Sequence, residues 1–144
     1  MSFTVDANVL LYASDETSAH QPRARTFLEY AASGDDLLYL FWPTVMAYLR
    51  IATHSAIFEQ PLPPAVAIAN IDRLLALPHV QTAGEHDRFW LSYRHLATES
   101  DARGNLVPDA HLVALMVESG VRTIWTHDRD YRRFTSIETR APFA

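Results

Sequence analysis

The chain has 144 residues and a formal net charge of −5 at pH 7; 49% of its residues are hydrophobic and 20% are charged. This composition fits one domain over residues 1–144 and excludes a disordered chain, which would combine low hydrophobicity with high net charge. The chain has no cysteine and no lysine, since all twelve basic residues are arginine, and this excludes disulfides, cysteine-ligated zinc, Schiff-base chemistry and a P-loop.

Strand-like and helix-like segments alternate along the sequence. Short apolar runs predict strands at 3–5, 37–41 and 121–125, with a further short strand at 80–82. Apolar residues at helical spacing, with proline near several starts and glycine after several ends, predict helices at 9–12, 21–32, 44–54, 65–77, 85–98 and 108–118. Alternation of this kind is typical of an α/β fold with a parallel sheet.

The sequence gives no indication of a membrane protein. The longest apolar run ends at Arg50 and is much shorter than the ~20 residues that cross a bilayer. The first residues lack the basic and apolar segments of a secretory signal. We therefore expect a cytoplasmic protein without a membrane partner. Its net acidity argues against broad electrostatic binding to DNA, but it is compatible with a nucleic-acid enzyme whose metal site is built from carboxylates.

Four aspartates are predicted to lie near the carboxyl ends of strands. Asp6 follows the first strand, and Asp128 and Asp130 follow the strand at 121–125. Ligands of parallel α/β sheets bind beyond this edge. Asp109 lies in the first turn of a predicted helix, on the face that carries core residues. A carboxylate there is costly unless it is paired, hydrogen bonded or bound to a cation, and oxygen ligands suit Mg²⁺ or Mn²⁺ rather than zinc.

Each of these aspartates also has a purely structural interpretation. Asp6 can cap a helix or close a turn, and Asp109 can complement the positive end of its helix dipole. Asp128 and Asp130 can be loop acids that pair with neighbouring arginines. Their joint placement at one sheet edge favours a shared function. The seven histidines include no His-x-x-x-His pair and have no cysteine partners, so we expect no zinc site.

Three segments, in this order, resemble the motifs of PIN-domain ribonucleases. They are Val-Asp-Ala-Asn at 5–8, Gly-Asn-Leu-Val-Pro-Asp-Ala-His-Leu at 104–112, and Thr-His-Asp-Arg-Asp-Tyr at 126–131, which is followed by Arg-Phe at 133–134. Each motif alone is weak, but the ordered set in a chain of this size is most similar to the VapC-type toxins of toxin–antitoxin pairs. The resemblance implies a three-layer α/β/α sandwich with a central parallel sheet, formed by a single PIN domain.

The resemblance also implies an activity. It is that of a Mg²⁺-dependent endoribonuclease, with Mn²⁺ as a substitute, that cleaves structured cellular RNA such as tRNA or rRNA. Such proteins are usually homodimers and are held inactive by a cognate antitoxin. Carried over by position, Asp6, Asp109 and Asp128 would be the catalytic acids, and the same three with Asp130 would hold the metal.

Neighbouring residues would support these acids and the RNA. By the same resemblance, Asn8 and Thr126 would orient the carboxylates or the attacking water. Arg50, Arg103 and Arg129 could hold the RNA backbone through bidentate contacts. Arg50 and His54, one helical turn apart, are equally compatible with a solvated helix face.

The chain departs from the family pattern at one position. The family commonly has a glutamate, often followed by leucine, in the helix after the second strand. Residues 43–54 contain no acid, and Tyr48 precedes Leu49 where the glutamate is expected. A site with fewer anionic ligands binds hard cations more weakly. We therefore expect one firmly held ion and a weaker second position.

Two other functions fit parts of the sequence. A phosphatase with an aspartate nucleophile needs Asp-x-Asp after the first strand and a lysine, whereas this chain has Asp6-x-Asn8 and no lysine. A PIN-like fold kept as an RNA- or protein-binding module of weak activity is favoured by the missing glutamate. The retained Asp6, Asp109 and Asp128 oppose that interpretation.

Overall fold

Strands and helices follow one another in the order that the sequence predicts. The computed structural model describes residues 1–143, and its strands are β1 Ser2–Val5, β2 Leu37–Phe41, β3 Val80–Ala83, β4 Thr123–Trp125 and β5 Glu138–Arg140. The α-helices within those residues are α1 Ala7–Ser14, α2 Gln21–Ser33, α3 Trp42–Ala52, α4 Pro64–Leu75, α5 Phe89–Ser100 and α6 Leu106–Ser119, and a 3₁₀ helix spans Arg129–Arg133.

The five strands form one parallel sheet in the order β3-β2-β1-β4-β5. The central strand β1 pairs with β2 on one side and with β4 on the other, where Val5 lies opposite Trp125. The strand order therefore reverses between β1 and β4. In open parallel sheets a crevice forms at such a point, beyond the carboxyl ends of the strands. Asp6 and Thr126 are the first residues after these two strands.

Helices cover both faces of the sheet, and each face has its own hydrophobic core. Leu38 and Leu40 of β2 pack against α1 to α4, whereas Phe41 lies in the core formed by α5, α6 and the 3₁₀ helix. This division follows from the alternation of side chains along a strand. Helix α6 is the most deeply buried helix, with residues 112–116 all inside. The predicted three-layer α/β/α arrangement with a parallel sheet is confirmed.

Several boundaries differ from the prediction. Helix α6 begins two residues before Pro108, which is tolerated because the first turn of a helix has no intrahelical use for the missing N–H. Helix α5 begins at Phe89 rather than at residue 85. Strand β5 was not predicted, because its three residues are polar and lie at the sheet edge. Within residues 1–143, no helix is both long and apolar enough to cross a membrane.

Candidate metal centre

Carboxylates from separate elements meet at the carboxyl edge of the sheet. Asp109, Asp128 and Asp130 each present an oxygen atom, and these three atoms lie within 4.8 Å of one another. Asp6 adjoins this group closely enough for its charge to act on Asp109. We call these four residues the acidic cluster. Its members come from the end of β1, the first turn of α6 and the segment that leads from β4 into the 3₁₀ helix.

Asp6 is oriented by the junction between β1 and α1. Its backbone N–H donates to the carbonyl of Trp125 (3.1 Å), and its own carbonyl accepts from Val9 as α1 begins. Asp6 is thus the residue that precedes α1, and the backbone N–H groups of Ala7 and Asn8 lie close enough to its carboxylate to favour the charged form, although neither completes a capping hydrogen bond. The carboxylate instead accepts from the hydroxyl of Thr126, with Oδ2 and Oγ1 2.8 Å apart.

Thr126 links the two strand ends. Its Oγ1 accepts a hydrogen bond from the backbone N–H of Asp128 at 2.9 Å. The hydroxyl thus accepts from that N–H and donates its single proton to the Asp6 carboxylate. The backbone N–H of Thr126 donates to the carbonyl of Arg140 in β5. The predicted supporting residue Thr126 therefore lies against Asp6, and it fixes the distance between Asp6 and the Asp128 segment.

Asp128 has both a structural and an electrostatic role. Its Oδ1 accepts from the backbone N–H of Asp130 at 2.9 Å and so caps the 3₁₀ helix. Its charge also raises the pKa values of Asp6 and Asp109. Asp128 therefore caps the 3₁₀ helix and also belongs to the acidic cluster.

Burial makes the acidic cluster electrostatically unfavourable without a bound cation or proton. Burial, and then the charge of Asp128, raise the pKa of Asp109 from 3.8 to about 6, although a hydrogen bond from the Tyr131 hydroxyl opposes this shift. Burial likewise raises the pKa of Asp6, and the hydroxyl of Thr126 together with the backbone N–H of Asn8 offsets part of the effect. Clustered carboxylates of this kind are stabilised by a proton or by a cation between them.

Tyr131 was missed as a functional candidate. It lies in the 3₁₀ helix, is 4% exposed, and donates its hydroxyl to Asp109. Burial and the surrounding carboxylates raise the pKa of Tyr131, so its hydroxyl stays protonated and remains a donor. The sequence contains one signal that could have identified Tyr131: it is the single uncharged residue among 128–133, and its ring carries a hydroxyl group.

The structure places the other predicted residues in different surroundings. The backbone N–H of Asn8 lies close to the Asp6 carboxylate and lowers its pKa, while the Asn8 side chain is exposed. Arg129 lines a cavity that also contains Asp128, and Arg103 lines a second cavity that contains Asp130. Arg50 lies exposed in the last turn of α3 and is not among the residues that line these two cavities.

Tyr48 does not replace the expected glutamate as a ligand. It is 1% exposed, and its hydroxyl lies 2.7 Å from Ser14 Oγ and accepts from Asn70 Nδ2 at 3.0 Å. This hydroxyl lies at a cavity between α1, α2 and α4 that is lined by none of the four acids. A glutamate placed at this position would therefore enter a different hydrogen-bond network.

The donor set fits a hard divalent cation. Every candidate ligand is a carboxylate oxygen, and Mg²⁺ and Mn²⁺ prefer such ligands, whereas zinc prefers histidine and cysteine. Burial, and to a smaller extent the charge of Asp128, raises the pKa values of Asp6 and Asp109, so a positive charge nearby would favour their ionised forms. A divalent cation would supply that positive charge.

Comparisons with known proteins place the chain in a family. Residues 3–136 match the PIN domain. The chain is 46% identical over 144 residues to Ribonuclease VapC48 of Mycobacterium tuberculosis (strain ATCC 25618 / H37Rv), covering 100% of this chain and 99% of the relative. It is 36% identical over 138 residues to Ribonuclease VapC37 of the same strain, covering 96% and 95% of the two chains.

Solved structures show the same fold. VapBC2 from Rickettsia felis, bound to a DNA fragment from its promoter, superposes with a TM-score of 0.72 at 14% identity and covers 98% of both chains. VapC20 of Mycobacterium tuberculosis, described as a Sarcin-Ricin loop cleaving toxin, gives 0.66 at 14% identity and covers 94% of this chain and 98% of that one. From its PIN domain and its similarity to the VapC proteins over its whole length, the chain belongs to the PIN domain family and is of the VapC type.

Proposed function

We propose that this protein is a metal-dependent endoribonuclease, acts in the cytoplasm and is the toxin of a toxin–antitoxin pair. Its 144 residues would form a single PIN domain. The observation that carries this proposal is the acidic cluster at the switch point of the sheet, in a chain that is 46% identical to a protein named as a ribonuclease. Asp6, Asp109 and Asp128 would be the catalytic acids.

The acidic cluster would hold Mg²⁺, or Mn²⁺ in its place, through Asp6, Asp109 and Asp128, with Asp130 binding directly or through water. When bound, the ion would activate a water molecule and neutralise charge on the scissile phosphate. The protein's own part is to keep the ligands in place. Thr126 holds Asp6, and outer contacts of this kind orient ligands and tune their affinity.

The substrate would be a structured cellular RNA, either tRNA or rRNA. One structural neighbour is described as cleaving the Sarcin-Ricin loop, which supports an RNA whose shape presents the cleavage site. Sequence-specific readers of RNA mostly bind unpaired loops, because their bases are accessible. Arg103 and Arg129, which line cavities beside the acidic cluster, would contact the backbone, and the exposed Arg50 would do so from α3.

A cognate antitoxin would be the protein partner. VapBC2 and FitAB, whose solved structures share this fold, are described as complexes bound to DNA. An antitoxin arginine that reaches the acidic cluster would neutralise it through charge-assisted hydrogen bonds. We also propose a homodimer, which exposed apolar side chains on α3 and α5 support: Met46, Trp90 and Leu91 are all more than half exposed.

One observation keeps a binding module as the second candidate. Tyr48, in the position of the family's glutamate, has its hydroxyl hydrogen bonded with Ser14 and Asn70, so the site lacks one expected ligand. A binding module would retain RNA affinity without cleaving the RNA.

Expression in a host without the antitoxin tests the proposal. Induction of the wild type should arrest growth and produce new RNA ends at a defined position. Asp6→Asn and Asp109→Asn should do neither, and co-expression of the antitoxin should restore growth. Equal growth of the wild type and Asp6→Asn, with no new RNA ends, would refute the toxin assignment.

A further inference from the structure

Two cavities adjoin the acidic cluster, and each is lined by one of its acids together with arginine. The first, of about 210 Å³, is lined by Asp128 and Thr126 together with Arg129, Arg132 and Arg140, the last of which is paired with Glu138. The second, of about 240 Å³, is lined by Asp130, Asp101 and Leu106 together with Arg103 and Arg133. Each cavity therefore places arginine side chains beside one acid of the acidic cluster.

The geometry of the 3₁₀ helix explains this division. A 3₁₀ helix has three residues per turn, so side chains three positions apart lie above one another. Arg129 and Arg132 are separated by three positions and line the same cavity. Arg133 is one residue further along and lines the other cavity. A single short helix thus supplies cations to both cavities.

The charge pattern indicates the class of ligand. The chain has a net charge of −5, yet residues 129–133 contain three arginines around one aspartate. An RNA strand whose scissile phosphate lies at the acidic cluster continues on both sides with further phosphates. Each of these needs a cation so that the surrounding acids do not repel it. The planar guanidinium of arginine suits this task, because it can give a phosphate two parallel hydrogen bonds.

The arginines are available for such contacts. Arg129, Arg132 and Arg133 are exposed. Arg103 donates from one of its nitrogen atoms to Asp101 at 2.6 Å, a contact that leaves further N–H groups of the guanidinium for a second acceptor. Its partner Asp101 lines the same cavity as Arg103.

We propose that the 3₁₀ helix and Arg103 form a two-sided phosphate track, in which each arginine binds its own RNA phosphate: Arg129 and Arg132 bind phosphates on one side of the scissile bond, and Arg133 and Arg103 bind phosphates on the other side. This inference rests on the proposed ribonuclease function. It adds Arg132 and Arg133 to the residues that contact substrate, and it defines the path of the strand across the acidic cluster.

Salt-dependent RNA binding tests the track. The probe is a short, fluorescently labelled single-stranded RNA of mixed sequence, and the protein carries Asp6→Asn so that the probe stays intact. Each lost phosphate contact on a single strand reduces the slope of log K against log salt by about 0.7. Arg132→Gln and Arg133→Gln should each give this reduction, and the double variant should give about twice as much. Each single variant should also bind the probe roughly tenfold more weakly at low salt.

Arg122→Gln is the matched control. Arg122 is an exposed arginine that precedes β4, at the opposite end of this strand from Thr126. Its replacement removes the same charge but should leave the slope unchanged. The thermal unfolding midpoint and the Mn²⁺ affinity should not fall in any arginine variant. Arg132 and Arg133 are exposed, belong to neither hydrophobic core and are not metal ligands.

The outcomes separate the track from the proposed function. If the wild type cleaves no RNA, the proposed function is wrong and the track is wrong with it. If the wild type cleaves RNA but Arg132→Gln and Arg133→Gln keep the full slope, the track alone is overturned. A changed slope in only one of them overturns the two-sided arrangement. Weaker antitoxin binding with unchanged RNA binding would assign these arginines to the protein partner instead.

Discussion

Replacing Asp109 by asparagine should stabilise the metal-free protein at neutral pH. In the folded chain the pKa of Asp109 is raised from 3.8 to about 6, first by burial and then by Asp128. Because the folded state holds this proton more tightly than the unfolded state does, stability falls as pH rises from near 4 to above 6. At neutral pH the ionised carboxylate therefore destabilises the fold.

The size of this effect follows from the shift. One pKa unit corresponds to 1.36 kcal/mol, so the rise in the pKa of Asp109 from 3.8 to about 6 would destabilise the folded state by about 3 kcal/mol. Asp109 is only half-buried and solvent screens its charge, which reduces the expected gain to roughly 1–2 kcal/mol. Asparagine keeps an oxygen that can accept from Tyr131, so that hydrogen bond is not lost.

Urea unfolding in the presence of EDTA measures this difference. Asp109→Asn should be the more stable protein at neutral pH and should lose its advantage below the ordinary pKa of aspartate. Saturating Mn²⁺ should reverse the order, since a ligand at 100 times its Kd stabilises the wild type by about 2.7 kcal/mol. Asp72→Asn, at an exposed position on α4, should stay within about 0.5 kcal/mol of the wild type. An Asp109→Asn protein that is less stable than the wild type in EDTA at neutral pH would refute the reasoning.

Three further outcomes are expected. Thr126→Val, which removes the donor to Asp6, should weaken Mn²⁺ binding by about 10–100-fold, whereas Thr4→Val, which removes a buried hydrogen bond to the carbonyl of Tyr39, should lower stability by about 1–3 kcal/mol and leave Mn²⁺ affinity unchanged. Calorimetric titration of the free protein with Mn²⁺ should show at most one firmly bound ion, and two tight ions would mean that another acid replaces the missing glutamate. Tyr48→Phe should lower stability by about 1–3 kcal/mol, because Ser14 and Asn70 lose a partner, and it should leave RNA cleavage unchanged; a large loss of cleavage would show that this network supports the acidic cluster.

The fold was largely predictable from local signals. Strands β1 and β2 are apolar runs, and α6 has apolar residues on every side, as a helix buried between layers requires. Strand β5 was not predictable in this way. Its polar residues form a strand only because β4 presents an open edge to pair with.

The acidic cluster was predictable because it depends on topology rather than on side-chain detail. Residues after neighbouring parallel strands must lie at one edge, which brings Asp6 close to Asp128. The contacts of Tyr48 and Tyr131 could not be predicted, since a hydroxyl finds its partner only when the helices are packed. The grouping of Arg132 with Arg129 also requires knowledge that this segment forms a 3₁₀ helix.

RNA cleavage by the purified protein tests the proposed metal dependence of the acidic cluster most directly. The cleavage rate is measured in EDTA and again after addition of Mn²⁺. The wild type should be inactive in EDTA and should regain cleavage at one defined position as Mn²⁺ is added. Asp109→Asn, which is expected to remain folded, should stay inactive at every Mn²⁺ concentration. Cleavage by the wild type in EDTA, or equal Mn²⁺-dependent cleavage by Asp109→Asn, would contradict a metal centre built on these aspartates.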